Sequence, residues 1–286
     1  MEAIFELQRN TSNQIIWQKG QKEKIVELYV KEKKSIRQII QLFHGLHYNT
    51  IKRILTEFNI PLRTRAQSHY QDNRIEDIFA QIDTEEKAYW LGFLAADGCV
   101  SGNYIIISLQ KKDEEHLLKF RNFLQATSIQ ITYPTHILEN GSIGEYCRFS
   151  IGCKKMAEDL KRQGIVENKT TILQPPKIDE KFYYDWIRGY FDGDGGLSYS
   201  EQTNRWQSYA NSTQCVLDWI VQVMQLNTKP FHQKHRNIFD NVWRIHFNGR
   251  INVYNFWNKL YKNDTATIFL QRKHDLFLKL KHTFEE

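Results

Sequence analysis

Two carboxylates set the reading of this chain. Asp97 ends the stretch Trp90-Leu91-Gly92-Phe93-Leu94-Ala95-Ala96-Asp97-Gly98, and Asp194 ends its echo, Ile187-Arg188-Gly189-Tyr190-Phe191-Asp192-Gly193-Asp194-Gly195. From Asp97 to Asp194 is 97 residues. Gly92 and Ala96 are four apart, as are Gly189 and Gly193, so each pair shares one face of a helix. With no bulk on those faces, two helices can pack almost backbone to backbone and bring the two Asp side chains together. Facing carboxylates repel unless a positive group lies between them. A divalent cation with hard oxygen ligands suits, and Mg²⁺ is the usual one beside phosphate. Gly98 and Gly195 are expected to end the helices in the left-handed conformation.

The elements that position these residues also repeat. Each stretch follows an aromatic-rich helical run and precedes a β-rich one, and Arg148-Phe149-Ser150-Ile151-Gly152-Cys153-Lys154 matches Arg244-Ile245-His246-Phe247-Asn248-Gly249-Arg250 at an offset of 96. Two copies of a unit in one chain point to a pseudo-twofold molecule with its site on the axis. In the first copy, Asp83 and Glu86 suggest a capping box. Strands are expected at Tyr104–Gln110, Ile129–Tyr133 and Tyr146–Ile151, with helices from Asp113 to about Gln125 and from Lys154 to Gln163. Asn140-Gly141 falls in a loop, and Gln174-Pro175-Pro176 separates the copies. In the second copy, strands are expected around Leu197–Tyr199, Trp206–Tyr209, Phe231 and Val242–Phe247. Helices are expected from Ser212, from about Arg250 and over Thr267–Lys281. Each copy thus reads α-β-β-α-β-β-α.

These residues resemble the two motifs of single-chain LAGLIDADG homing endonucleases over roughly Glu85 to Glu286. Trp90, Leu91 and Ala95 depart from the family pattern in the first copy, and Ile187 and Arg188 in the second; the penultimate Asp stands in both. The resemblance implies an α+β fold of two pseudo-symmetric αββαββα repeats whose sheets form a DNA-binding saddle. It implies Mg²⁺ held by Asp97 and Asp194 with the backbone carbonyls of Ala96 and Gly193, Mn²⁺ being an acceptable substitute. It also implies cleavage of both strands across the minor groove of a long asymmetric duplex site by a monomer, leaving short 3′ overhangs. Family members carry basic or amide side chains around the metal, and Gln110, Arg148 and Arg244 are the candidates for that supporting catalytic role. Tyr104, Lys111, Lys154, Arg205, Gln207, Tyr209, His246 and Arg250 are candidates for contacting DNA from the strands and their ends.

The N-terminal segment is separate. Helices are expected from Lys22, with Ile25, Leu28 and Tyr29 on one face, and from an Ser35 cap, with Ile36, Ile39, Ile40 and Phe43. A third carries Ile51, Ile54, Leu55 and Phe58, and its other face shows Asn49, Lys52, Arg53 and Thr56. Two helices joined by a tight turn, the second with amide and cationic side chains, form the helix-turn-helix pattern. Ser35 to Ser68 resembles the small modules of resolvases, with a tail in which Arg63 and Arg65 are further DNA candidates. A plain three-helix bundle with a solvated basic face gives the same pattern. The expected organisation is 1–68 for this all-α module, 69–82 for a polar linker, 83–175 for the first repeat and 176–286 for the second; residues 1–20 give no pattern.

Composition sets the frame. The 286 residues are 41% hydrophobic and 25% charged, enough for a real core. The net charge of +6 and a pI near 9.0 suit a polyanionic partner. Four cysteines lack zinc spacing and read as reduced thiols. Neither a signal peptide nor a membrane-spanning run is read, so the expected location is cytoplasmic, in a bacterial or phage setting, or organellar, and not secreted. Two other functions share these features: a transcription regulator on a retired endonuclease scaffold, which would tend to lose the acidic pair, and an intron RNA maturase, which would need a separate RNA surface.

Overall fold

The structure, a computed structural model, describes residues 5, 7–43, 45–63, 72–137, 143–232 and 242–284. The chain divides into two compact units, Met1–Arg74 and Ile75–Glu286.

In the first unit three helices, α1 (Gln21–Val30), α2 (Ile36–Leu42) and α3 (Tyr48–Glu57), bury Ile25, Leu28, Ile39, Ile51, Ile54 and Leu55. Ser35 caps α2 as its sequence predicts: its side chain accepts from Gln38 N while the Gln38 side chain accepts from Ser35 N. The described residues before α1 include two short strands. Strands β1 (Gln8–Arg9) and β2 (Ile15–Ile16) pair as a hairpin, and Leu7, Ile15 and Trp17 pack on the helices.

The second unit is mixed helix and antiparallel sheet. Its first half runs α4 (Glu85–Asp97), β3 (Gly98–Ser101), β4 (Tyr104–Gln110), α5 (Glu114–Phe123), β5 (Thr135–Ile137), β6 (Ile143–Gly152) and α6 (Lys154–Arg162). The second half runs α7 (Tyr183–Gly193), β7 (Gly195–Ser200), β8 (Arg205–Ser212), α8 (Gln214–Met224), β9 (Phe231–His232), β10 (Trp243–Asn248), α9 (Arg250–Leu260) and α10 (Gln271–His282). The sheet orders are β3-β4-β6-β5 and β7-β8-β10-β9, so both halves follow one strand order. Strand alternation turns Ile105, Ile107, Phe149 and Ile151, and in the other sheet Trp206, Ala210, Ile245 and Phe247, into a core shared with the helices.

Several expectations are corrected. Asp83 does not cap α4: Thr84 does, accepting from Lys87 N, and Asp83 pairs with Lys87 Nζ at 2.7 Å. Asp113 stands at the N-cap position of α5 but makes no side-chain cap hydrogen bond; its carboxylate accepts from Arg272 Nε at 2.9 and 3.0 Å. The expected strand at Ile129–Tyr133 is reduced to a single bridge, Thr132 with Arg148, and β5 begins at Thr135. The linker reading fails beyond Arg74: Ile78 and Phe79 are buried in the core of the second unit, and Ile75 N donates to Leu124 O. Gly98 is not left-handed (φ −81°), and Gly195 is absent from the positive-φ glycines. Both glycines are needed because the backbone doubles back on the helix. A Cβ would come within 2.6 Å of Leu94 Cδ2 at Gly98 and of Phe191 Cδ1 at Gly195. The Asn140-Gly141 loop and Arg65 lie outside the described residues.

Candidate active site

Helices α4 and α7 form the largest contact between two elements of the second unit. Two glycines permit it. A Cβ on Gly92 would land on the Trp186 carbonyl, and one on Gly189 would land on the Tyr89 carbonyl and within 2.8 Å of Phe93 N. Neither obstacle is a side chain that can swing away, so only glycine fits. At the helix ends a Cβ on Gly193 would strike the Ala96 methyl and stand 3.2 Å from Asp97 Oδ2. The Asp97 carboxylate therefore lies against the residue before Asp194.

Burial perturbs both carboxylates. Burial, and then the charge of Asp194, push Asp97 up to about 6. Burial also raises Asp194, although its side chain reaches solvent, because the packed helix ends behind it displace part of its hydration. Lys273 and Lys169 partly offset the rise at both acids. Among the described residues neither Asp97 nor Asp194 forms an ion pair, and no cluster of three or more His, Cys, Asp or Glu is poised for a metal. Two hard carboxylates with adjacent carbonyls fit a cation that takes its remaining ligands from water and phosphate. That is the preference of Mg²⁺ rather than of zinc.

Two lysines that sequence reasoning missed hold the helix ends. Lys169, in the short 3-10 turn Lys169–Thr171, donates to Ala96 O at 3.1 Å and Gly98 O at 2.5 Å. Lys273, in the first turn of α10, donates to Phe191 O (2.6 Å), Asp192 O (2.7 Å), Gly193 O (3.2 Å) and Gly195 O (2.5 Å). Each ammonium satisfies carbonyls that a helix C-terminus leaves unpaired and opposes its negative dipole end. Ala96 O and Gly193 O, the expected metal ligands, thus each lie within hydrogen-bond reach of a lysine ammonium, at 3.1 and 3.2 Å; a carbonyl has a second lone pair for a cation. Burial lowers Lys273 to about 8 and also lowers Lys169.

Behind the carboxylates the halves differ. Asp192, whose counterpart is Ala95, is buried, and its Oδ2 accepts from Tyr89 OH at 2.7 Å and Leu270 N at 2.8 Å. Burial raises its pKa. Tyr89 OH also meets His116 Nε2 at 3.0 Å, and burial drops that imidazole to about 3, so it is neutral at pH 7. Arg188, which with Ile187 departs from the LAGLIDADG pattern, is buried. It pairs with Asp185 at 2.9 Å and donates to Ile268 O and Leu260 O at 2.9 Å each. Lys262 joins Asp185 (3.0 Å) to Glu85 (2.7 Å).

The sheets turn polar faces away from the helices. Tyr104, Ser108, Gln110, Arg148 and Ser150 share one, and Arg205, Gln207, Tyr209, Asn211, Arg244 and His246 share the other. The two arginines hold matching positions. Gly98 pairs with Ile107, and Ser108 with Arg148 forms the next row; Gly195 pairs with Ala210, and Asn211 with Arg244 forms the next. Arg148 Nε donates to Ser108 Oγ at 2.9 Å, and Arg244 Nε to Asn211 Oδ1 at 2.7 Å. Arg244 also lies over the Tyr209 ring, and His246 Nε2 meets Gln207 Oε1 at 3.2 Å. Two strand spacings, about 10 Å, separate each arginine's strand from the strand that follows its Asp.

Other predicted residues take different positions. Lys111 follows β4 and pairs with Glu145 at 3.4 Å. Lys154 opens α6 and pairs with Glu158, and Arg250 opens α9, donates to Thr283 O at 2.9 Å and stacks on Phe284; both belong to the helix layer. In the first unit Asn49, Lys52 and Arg53 are exposed on α3. Arg63 is instead held inside that unit, donating to Lys33 O (2.8 Å) and Lys34 O (2.5 Å) over the Tyr29 ring. No helix among the described residues is long and apolar enough to cross a membrane.

Neither a protein-family model nor a curated relative matches the chain. Solved structures similar to it include the meganuclease I-SmaMI bound to uncleavable DNA (9% identity, 67% of this chain and 88% of that one, TM-score 0.43). The homing endonuclease I-WcaI bound to its DNA recognition sequence is another (12%, 72% and 90%, 0.47). A third is the I-LtrWI LAGLIDADG homing endonuclease bound to target DNA (9%, 71% and 92%, 0.41). At such values the likeness is to coarse architecture, and the reading of the site rests on its own residues.

Proposed function

We propose that this chain is a site-specific double-strand DNA endonuclease of the homing type, dependent on Mg²⁺. One observation carries the reading: two helices, packed backbone to backbone through Gly92 and Gly189, hold Asp97 and Asp194 together at their ends with raised proton affinity and no ion-pair partner among the described residues. The single chain acts as a monomer of two pseudo-symmetric repeats over a long asymmetric duplex. Support comes from the shared strand order, the matched Arg148 and Arg244, and the net charge of +6.

In this reading Asp97 and Asp194, with the carbonyls of Ala96 and Gly193, hold the cation. Bound Mg²⁺ supplies charge neutralisation at the scissile phosphate and lowers the pKa of a bound water. Lys169 and Lys273 fix the directions of the two carbonyls and keep the helix ends from spreading. Arg148, Arg244 and Gln110 take phosphate oxygens from the strand faces, and Arg205, Gln207, Tyr209 and His246 read base edges. One acidic residue per repeat suits one cut per strand across the minor groove. The first unit adds a helix-turn-helix with Asn49, Lys52 and Arg53 toward DNA. Four free thiols suit a reducing bacterial or organellar interior.

The test is selection of cleaved sites from a randomised duplex library with Mg²⁺, followed by cleavage and binding assays on the recovered site. Asp97→Asn and Asp194→Asn should each abolish double-strand cleavage and leave binding. Wild-type cutting by both variants would overturn the assignment.

A further inference from the structure

The first unit has a feature that the three helices do not account for. The β1–β2 hairpin is bolted beside the start of α3. Arg9 Nη1 donates to Asn13 O at 2.8 Å, in the hairpin turn, and Nη2 donates to Gly45 O at 2.7 Å, in the turn that leads into α3. One guanidinium group therefore spans the two turns. Phe5 adds a second tie before the hairpin: its ring stacks on Phe43 at 4.5 Å and its N–H donates to Leu42 O at 2.8 Å. The hairpin turn is also fixed from within. Asn10 Oδ1 accepts from Ser12 N at 3.0 Å and Gln14 N at 2.8 Å, and Asn13 takes φ 59°. All five turn residues, Asn10 to Gln14, are exposed.

The chemistry of this tip is selective. From Leu7 to Lys22 there is no acid, while Arg9 and Lys19 are basic; Lys22 is paired with Glu57 at 2.8 Å. The apex, Thr11-Ser12-Asn13, offers hydroxyl and amide groups alone. Such groups contact DNA phosphates where a rigid element holds them against the backbone, and an ordered turn loses little entropy on binding. The first turn of α3 beside it exposes His47, Tyr48 and Asn49, followed by Lys52 and Arg53.

We propose that the hairpin tip, centred on Thr11 and Ser12, is a second DNA-contact site that takes the phosphodiester backbone flanking the groove α3 enters. This rests on the reading of α3 as the DNA-facing helix. Because Arg9 ties the two turns, docking α3 fixes where the tip falls, so the two sites contact DNA as one rigid surface.

A phosphate contact is independent of sequence, so the probe is a labelled mixed-sequence duplex, with the full-length protein in EDTA and affinity measured against KCl concentration. Ser12→Lys should tighten binding and steepen the salt slope by about 0.9, one added phosphate contact. Ser12→Glu should weaken binding by about tenfold, one close charge repulsion near the surface. The same changes at Gln222, exposed on α8 in the other unit, serve as controls for net charge and should have little effect. Melting temperatures should match wild type, since Ser12 is exposed. If Lys52→Ala and Arg53→Ala weaken binding while the Ser12 variants behave like those at Gln222, the hairpin site is refuted and α3 stands. If Lys52→Ala and Arg53→Ala are silent, the reading of α3 fails and the hairpin site with it.

Discussion

The contact between Gly193 and Ala96 can be tested by moving one methyl group. Gly193→Ala alone places a Cβ on the Ala96 methyl and 3.2 Å from Asp97 Oδ2. Overpacking of this kind costs about 1–3 kcal/mol, and at the last residue of α7 Gly to Ala gains less than the roughly 1 kcal/mol of a helix interior. Ala96→Gly alone loses about 0.5–1 kcal/mol of backbone freedom. In the double variant the overlapping methyl is gone and the two backbone terms nearly cancel. A unit of this size shifts by about 2–4 °C per kcal/mol. Gly193→Ala should therefore melt a few degrees below wild type, and the double variant within about 2 °C of it. Calorimetry measures this, and the double-mutant cycle gives the coupling. Cleavage should follow, because a displacement of about 1 Å at the Asp97 carboxylate costs on the order of a hundredfold in rate. Additive single effects, with no recovery in the double variant, would show that the helix ends do not touch here.

Three further outcomes follow from the same geometry. Arg188→Met leaves Asp185 buried with only Lys262 and frees two carbonyls, so the melting temperature should fall by roughly 6–20 °C from the loss of about 3–5 kcal/mol; an unchanged melt would mean that Arg188 reaches solvent. Asp97 is raised from 3.8 to about 6, so the fold binds its proton more tightly than the unfolded chain, and this group's contribution to stability declines as pH rises from about 4 to about 6. In EDTA, Asp97→Asn should thus be more stable than wild type at pH 7, with the gap narrowing toward pH 4; a constant gap across that range would refute the raised value. A chain beginning at Ile75 should melt like the second unit of the intact protein, whereas one beginning at Asp83 loses Ile78 and Phe79 from the core and should melt lower, and equal melts would restore the linker reading.

What the sequence discloses follows the range of the forces involved. The four-residue spacing of Gly92 with Ala96 and of Gly189 with Gly193 is local and anticipates the helix contact. Strand alternation likewise puts Arg205, Gln207, Tyr209, Arg244 and His246 on one face. Lys169 and Lys273 were not legible as partners of the helix ends, because each arrives more than 70 residues after the carbonyls it meets. A signal for Lys273 does exist: it shares the apolar stripe of α10 with Phe277 and Leu280, and a lysine on such a stripe must find partners when buried. The polar look of residues 70–82 concealed Ile75, Ile78, Phe79 and Ile82, whose spacing is that of a buried face. The hairpin escaped notice because two-residue strands carry no period, and its place is set by Arg9 and Phe5 reaching across to α2 and its turn.

Polar ties between the two halves of the second unit bear on which pieces of this chain can assemble. Tyr89 with Asp192, Glu85 with Lys262 and Asp113 with Arg272 each draw one partner from either half. Were the chain severed near Pro175, two copies of the second half would set Trp186 where Tyr89 belongs, giving Asp192 an indole in place of a phenol hydroxyl. Two copies of the first half would leave that hydroxyl facing Ala95. Each fragment thus lacks, in a copy of itself, partners that the other half supplies. Expressed from separate reading frames, they are expected to pair with each other in preference to themselves.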